Sequence, residues 1–460
     1  MMMAIRRFFL LSPLCLLAAC ALPVTNTDAG LPIPAHWRQA ADGETDGIDA
    51  DWWRGFGSAE LDRLVGDARR DSHDIAAAVA RLAQASARAR MAGAALAPEL
   101  SLTAGASRTG RLGGQADEGR AFNAGLSASY ELDFWGGNRA ARASALAGVQ
   151  ASRFDRDTVR LTVSASVASA YLQTLALRER AAIARADLAR AERVLATVRV
   201  RAGAGAETPL ALAQQRGLVA SAQQQVDALA QQARDALILL ASLGGHLPAG
   251  FDIEGERLSA LGWPTLDAGP PSALLTRRPD LARAEARLAA ADADITVARA
   301  AMLPAVRLTA GIGSNSDRAG RWLDNPVYSL AGALTAPIFN AGRLAAQRDQ
   351  ADARRAELLA DYRQAIVAAF RDTEQALNTI DGLERQLRSA DEAHEQAQRA
   401  LTLAERRYRA GADTLLTVLD TQRTLFAAED ERLTLRLRRQ QAAVELFKAL
   451  GGGWRRDDTL

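Results

Sequence analysis

The sequence predicts a mainly α protein that carries part of a β-barrel and is built from one unit used twice. Three observations carry this expectation. Long stretches rich in Ala, Arg, Leu and Gln run without proline, two short regions switch to a two-residue apolar period, and the order of segments recurs about two hundred residues on. With only 14 Pro and 5% aromatic residues among 460, the composition favours long helices over compact domains. A net charge of +2, with both signs interspersed, marks solvated helix faces and argues against a nucleic-acid surface.

The chain begins as an exported protein does. Arg6 and Arg7 precede an apolar run from Phe8 to Ala19, too short for a bilayer anchor but suited to a secretory signal over residues 1–19. The run ends in Leu17-Ala18-Ala19-Cys20, which resembles the lipobox of bacterial lipoproteins, so Cys20 is the candidate for lipidation and first mature residue. The plainer alternative is ordinary cleavage near an incidental cysteine. Cys15 lies within the signal, so no intrachain disulfide is expected after cleavage. Residues 20–60 read as an extended N-terminal segment.

The first repeat spans 61–243 and the second 280–450. DIAAAVARLAQ at Asp74 matches DLARAEARLAA at Asp280, LAPELSLTAG at Leu96 matches MLPAVRLTAG at Met302, and DFWGGNR at Asp133 matches IFNAGR at Ile338. In each half a helical segment runs up to a proline, Pro98 or Pro304, after which the period becomes two. Phe122, Ala124, Leu126, Ala128, Tyr130, Leu132 and Phe134 alternate with mostly polar residues, as a strand with one apolar face requires. Strands are expected at about 99–109 and 122–135 in the first half, and at 304–314 and 327–340 in the second. The Gly-, Asp- and Arg-rich stretches between them read as exposed hairpin loops.

The helical period returns after Gly136-Gly137 and after Gly342 and holds for about 65 residues, a rod on the order of 100 Å. Each rod stops at an Arg-Ala-Gly break, in VRAGAGAETPLALAQQR from Val200 and YRAGADTLLTVLDTQR from Tyr408, and a shorter helix follows. The breaks read as tips of helical hairpins at 201–208 and 409–414, with Gly203 and Gly411 supplying a left-handed helix stop. Residues 244–279 hold much of the Gly and Pro that the helices lack and read as a folded equatorial connector, and 451–460 as a tail.

Four amphipathic strands cannot close a barrel, and an open sheet edge in lipid leaves backbone groups unsatisfied at several kcal/mol each. Other copies must close it. Two chains give eight strands, which side chains would fill, whereas three give twelve and a lumen, so a conduit favours a homotrimer.

At this point the motifs resemble a family. DWWRGFGSAELDRLV at Asp51, PPSALLTRRPDLARAEARL at Pro270, YRAGADTLLTVLDTQR at Tyr408 and LGGGW at Leu450 are together similar to the outer-membrane efflux factors of the TolC and OprM type, in their lipoprotein branch. The resemblance covers essentially the whole mature chain. It implies a lipid-anchored homotrimer in the Gram-negative outer membrane, with a twelve-stranded barrel on a helical periplasmic tunnel. The partners it implies are a periplasmic adaptor and an inner-membrane pump of the RND type.

The resemblance also assigns roles. Asp420 and Leu416 would form two stacked rings at the closed periplasmic end, where three like charges favour cations and raise some of the carboxylate pKa values. Tyr408 would help tie the hairpin shut. Arg201, Gly203, Arg409 and Gly411 lie at the tips where an adaptor would meet the duct. Ala213 follows Leu212 where Asp420 follows Leu419, so only one tip is expected to carry the carboxylate. Thr417 stands where some relatives have a second aspartate, which leaves a deeper cation site in doubt.

His36, His73, His246 and His394 show no ligand spacing and no nucleophile motif is present, so neither an enzyme nor a cofactor beyond the lipid is expected. The function the resemblance implies is a passive exit duct for small toxic compounds or drugs in a tripartite efflux system, and two alternatives remain: a duct for secreted polypeptides, and a lipid-anchored coiled-coil scaffold that transports nothing.

Overall fold

The computed structural model describes residues 30–38, 48–110, 119–321 and 324–456. Cys20 and the signal therefore lie outside the described residues, as do parts of the tail and of both hairpin loops. The chain divides into a short N-terminal unit, Met1–Pro32, and one large unit, Ile33–Leu460. The large unit is described below.

It opens with a turn of 3-10 helix at Trp52–Phe56, so the segment expected to be extended is partly folded before the first repeat. Helix α1 (Ala59–Asp71) begins behind Ser58, whose hydroxyl accepts from the Leu61 amide, and α2 (His73–Ala94) follows after a bend at Ser72. Strands β1 (Glu99–Thr109) and β2 (Gly119–Leu132) form the first hairpin. Helix α3 (Gly137–Gly203) and α4 (Pro209–Leu243) complete the first half.

After the connector come the short α5 (Leu274–Arg277), α6 (Pro279–Ala300), β3 (Ala305–Ser316), β4 (Pro326–Thr335), α7 (Arg343–Arg409) and α8 (Leu415–Ala449). Both long helices, α3 and α7, count 67 residues, about 100 Å at 1.5 Å per residue. Among the described residues no helix is long and apolar enough to cross a membrane.

Three strand ends differ from expectation by three residues or more, and β3 runs two residues past its expected end, to Ser316. β2 starts at Gly119 because pairing with β1 continues through Arg108↔Arg120 and Thr109↔Gly119. It stops at Leu132 because Asp133 turns to cap α3, accepting from the Asn138 amide at 2.9 Å and the Arg139 amide at 3.0 Å. β4 ends at Thr335, short of 340, since Pro337 has no amide proton to donate to a ladder.

The four strands form one antiparallel sheet in the order β1-β2-β3-β4, so the β2–β3 ladder joins the two halves and β1 and β4 are left as open edges. Leu102↔Leu126, Leu126↔Ile312, Ile312↔Tyr328 and Ala310↔Leu330 fall on one face, and on it Leu102, Tyr328 and Leu330 are all more than 70% exposed. The other face carries Ser101, Thr103, Ser127 and Ser129, with Arg307 bridging to Glu131 across the strands at 3.2 Å. An apolar face with no protein covering it, backed by a polar face, is the arrangement of a lipid-facing barrel wall.

The largest core lies far from the sheet. Trp52, Trp53 and Phe56 pack with Leu61 and Val65 of α1, Tyr171 and Leu172 of α3, Ile253 and Leu258 of the connector, and Val444 and Phe447 of α8. Trp52 stacks on Phe447 at 5.0 Å, and the Arg439 guanidinium sits 3.6 Å over Trp263. The connector is thus bound to the helices along its length.

Two of the quoted motifs meet in this region. Arg278 grips Asp280 through two nitrogens, at 2.9 and 2.7 Å, and donates to the Ala449 carbonyl at the end of α8 at 3.0 Å. Gly451, Gly452 and Gly453 all adopt positive φ, and a Cβ on Gly451 would run into the carbonyl of Arg277. RRPD and LGGGW are therefore the two sides of one joint between α6 and the C-terminus of α8. Burial alone raises the Asp280 carboxyl, but the Arg278 guanidinium and the amides at the start of α6 outweigh it and hold it below the usual carboxylate range.

Candidate gate at the hairpin tips

The two helical hairpins end in tips of the same construction. Thr208 and Thr414 stand before α4 and α8, and Thr208 accepts from the Ala211 amide. The left-handed residues are Gly205 (φ 73) and Gly411 (φ 74). Gly203, expected in that role, is instead the last helical residue of α3, and the chain turns two residues later.

The correction fixes the register of the repeat. Gly205 and Gly411, Thr208 and Thr414, and Glu207 and Asp413 are all 206 apart, so the shared Arg-Ala-Gly letters are displaced by two positions between the copies. Counted from the cap threonines, the counterpart of Asp420 is Gln214 rather than Ala213. The asymmetry between the tips stands, with an amide opposite a carboxylate.

Asp420 and Leu416 lie one helical turn apart on α8, and both point away from the protomer's own packing. Leu416 is 66% exposed and Asp420 is exposed, whereas Leu415, Val418 and Leu419 between and beside them are buried against α7 and α3 residues such as Leu401 and Val198. Leu210, the counterpart of Leu416 on α4, is equally exposed. Thr417 donates its hydroxyl to Asp413 at 2.8 Å, and the Thr414 amide bonds the same oxygen at 2.8 Å. Those donors, the Thr417 hydroxyl foremost, hold the Asp413 carboxyl below its ordinary value.

Tyr408 is 4% exposed, and its hydroxyl donates to Glu207 of the other tip at 3.1 Å. Arg201 lies 4.8 Å over the Tyr408 ring, donates to the Tyr408 carbonyl at 3.4 Å, and has its Nε 3.8 Å from Glu207. These three residues clamp the end of α7 to the end of α3. Burial, reinforced by the Glu207 carboxylate, raises the Tyr408 phenol, which keeps it a donor at physiological pH.

Arg201 is thus engaged inside the protomer. Arg409, by contrast, is exposed and pairs only along its own helix with Glu405 at 3.0 Å, and Gly411 is exposed at the turn. Glu207 was not singled out in the sequence. Its signal was its place immediately before a cap threonine, the place that Asp413 holds in the second copy. Higher on the hairpins His394 is not isolated as its spacing suggests: its Nδ1 lies 3.1 Å from Arg432, and its Nε2 lies 3.9 Å from Glu429.

A sheet with one uncovered apolar face and two open edges, above paired helical rods that end in clamped tips, is the protomer of a membrane-spanning duct. The family profile described as Outer membrane efflux protein matches residues 64–246 and 271–452, and so takes in both repeats. The chain belongs to this family. It is 51% identical over 466 residues to the pyoverdine export outer membrane protein OpmQ of Pseudomonas aeruginosa, covering 99% of this chain and 98% of OpmQ.

It is 31% identical to the probable outer membrane lipoprotein SilC of Salmonella typhimurium, over 92% of this chain and 93% of that one. The solved structure of CusC superposes with a TM-score of 0.84 at 28% identity, over 94% of this chain and 100% of that one. This protein is an outer-membrane efflux channel, then, and its four strands are one third of the twelve-stranded barrel of a homotrimer.

Proposed function

We propose that this chain is the passive exit duct of a tripartite export system, closed at its periplasmic end by Leu416 and Asp420. The observation that carries the reading is their joint exposure on one face of α8, while Leu415, Val418 and Leu419 of the same turns are buried. Three copies around an axis place three carboxylates at one constriction, which favours cations. Tyr408 holds the tips together.

The remaining parts of the reading follow from the family. A periplasmic adaptor meets the duct at the tips, where Arg409 and Gly411 are exposed, and a pump of the RND type supplies the energy. The chain has no catalytic step of its own and needs no cofactor beyond a lipid on Cys20, a placement favoured by the Leu-Ala-Ala-Cys motif and by the likeness to SilC. Its cargo is a small molecule of the pyoverdine kind. That choice rests on 51% and 48% identity to two pyoverdine export proteins, against about 30% to cation efflux proteins.

Conductance in a planar bilayer tests the gate. Wild-type protein is expected to pass a small cation-preferring current, and Asp420→Ala to lose the preference. Leu416→Ala with Asp420→Ala should widen the current further. Unchanged selectivity in Asp420→Ala, from protein shown to be trimeric, removes Asp420 from the constriction.

A further inference from the structure

Between the two hairpins lies a cavity of about 380 Å³ whose walls come from four helices. α3 contributes Asp187 and Ala191, α4 Leu218 and Ala222, α7 Leu401, and α8 Gln422 and Phe426. α4 and α8 scarcely touch, so the cavity is the gap they leave above α3. Its size is that of a site for a small organic molecule.

The polar groups of this wall are incomplete. Asp187 pairs with Arg190 through one oxygen, and its other oxygen is buried with no partner. Both atoms of the Gln422 side-chain amide are buried without partners as well. Arg190 is also bonded to Glu429 at 3.2 Å, so one guanidinium serves two carboxylates. Arg423, also in the wall, is exposed to solvent. An unsatisfied buried acceptor is destabilising, and a bound donor removes that cost. The rest of the wall, Leu218, Ala222, Leu401 and Phe426, is apolar.

We infer that this cavity is a binding site for a small amphipathic amine, held by its ammonium on Asp187 and Gln422 and by its apolar body against Phe426 and Leu401. The ammonium supplies the donor that the free Asp187 oxygen lacks, and a further oxygen on the ligand can accept from the Gln422 amide. Burial pushes the Asp187 carboxyl up to about 6, with Arg190 opposing and Glu429 adding to the rise, so at neutral pH it is still mostly an anion. A ligand here touches both hairpins of a protomer and ties them together. The site does not depend on what passes through the duct.

Isothermal titration of the purified trimer tests this, with 4-phenylbutylamine as probe and 4-phenylbutanol as the control for partition into detergent. The amine is expected to bind saturably at one site per protomer, more tightly than the alcohol. Asp187→Asn should weaken it at least tenfold. Ala222→Phe, which fills the cavity and leaves the polar groups in place, should abolish it with the trimer intact by size exclusion. Binding unchanged in either variant, equal binding of the alcohol, or no saturable binding to wild type overturns the site.

Discussion

Replacing Tyr408 with Phe leaves the ring under Arg201 and removes one hydrogen bond to a carboxylate, a bond that contributes about 1.5–3 kcal/mol when buried. Glu207 is 15% exposed at its side chain, so the low end applies, about 1.5 kcal/mol in each protomer. If the three tips open together, the closed state of the trimer loses about 4.5 kcal/mol, roughly a thousandfold in the ratio of open to closed channels. Single-channel recording of Tyr408→Phe should therefore show openings that are rare or absent in wild type. Glu207→Ala should give at least as large a rise, since it removes the acceptor together with the charge facing Arg201, and the double variant little more than Glu207→Ala alone, because both remove the same bond. Additive effects, or a Glu207→Ala channel as closed as wild type, would refute the clamp.

The joint between RRPD and LGGGW yields three further expectations. Arg278→Ala leaves Asp280 without its partner and the end of α8 without its cap, and should cost on the order of 3 kcal/mol, read as a fall in thermal stability of the trimer. Gly451→Ala places a side chain against the Arg277 carbonyl at positive φ and should keep folded trimer from accumulating in the membrane, whereas Gly217→Ala on open helix surface should not. Because the Asp280 carboxyl sits below its ordinary value, its contribution is complete above the unfolded carboxylate range and fades as pH falls through and below about 4. Asp280→Asn should flatten that part of the stability profile in acid and leave the slope above pH 5 unchanged.

The sheet was legible residue by residue, because lipid on one side and water on the other impose a strict period of two on Leu100 to Ala106 and on Phe122 to Leu132. The long helices were legible through the absence of proline and the return of the helical period after Gly136 and Gly342. The tips were less so. RAGAG offers two glycines, and which of them turns left-handed depends on where the helix stops, which is set by the cap at Thr208 rather than by the letters RAG. Reading the copies by letters paired Asp420 with Ala213, and reading them by caps pairs it with Gln214. The Tyr408–Glu207 bond joins residues 201 apart, so no local pattern announces it. The joint of Arg278 with Ala449 likewise spans 171 residues, and each side appears in the sequence only as an isolated motif.

The equal count of α3 and α7 works as a ruler. Each has 67 residues between a glycine start and a glycine stop, which brings both tips to one height and lets Tyr408 reach Glu207. Losing a single residue from α7 would lift its tip by about 1.5 Å and rotate everything beyond it by about 100°. Leu416 and Asp420 would then swing a quarter-turn off their face, with every buried contact on the sheet side of the deletion unchanged. Length in this molecule can therefore drift only in both rods at once, and such drift would also move the tips away from whatever receives them. The exposed faces of the rods between the tips and the sheet can vary in composition, but the length is held from both ends.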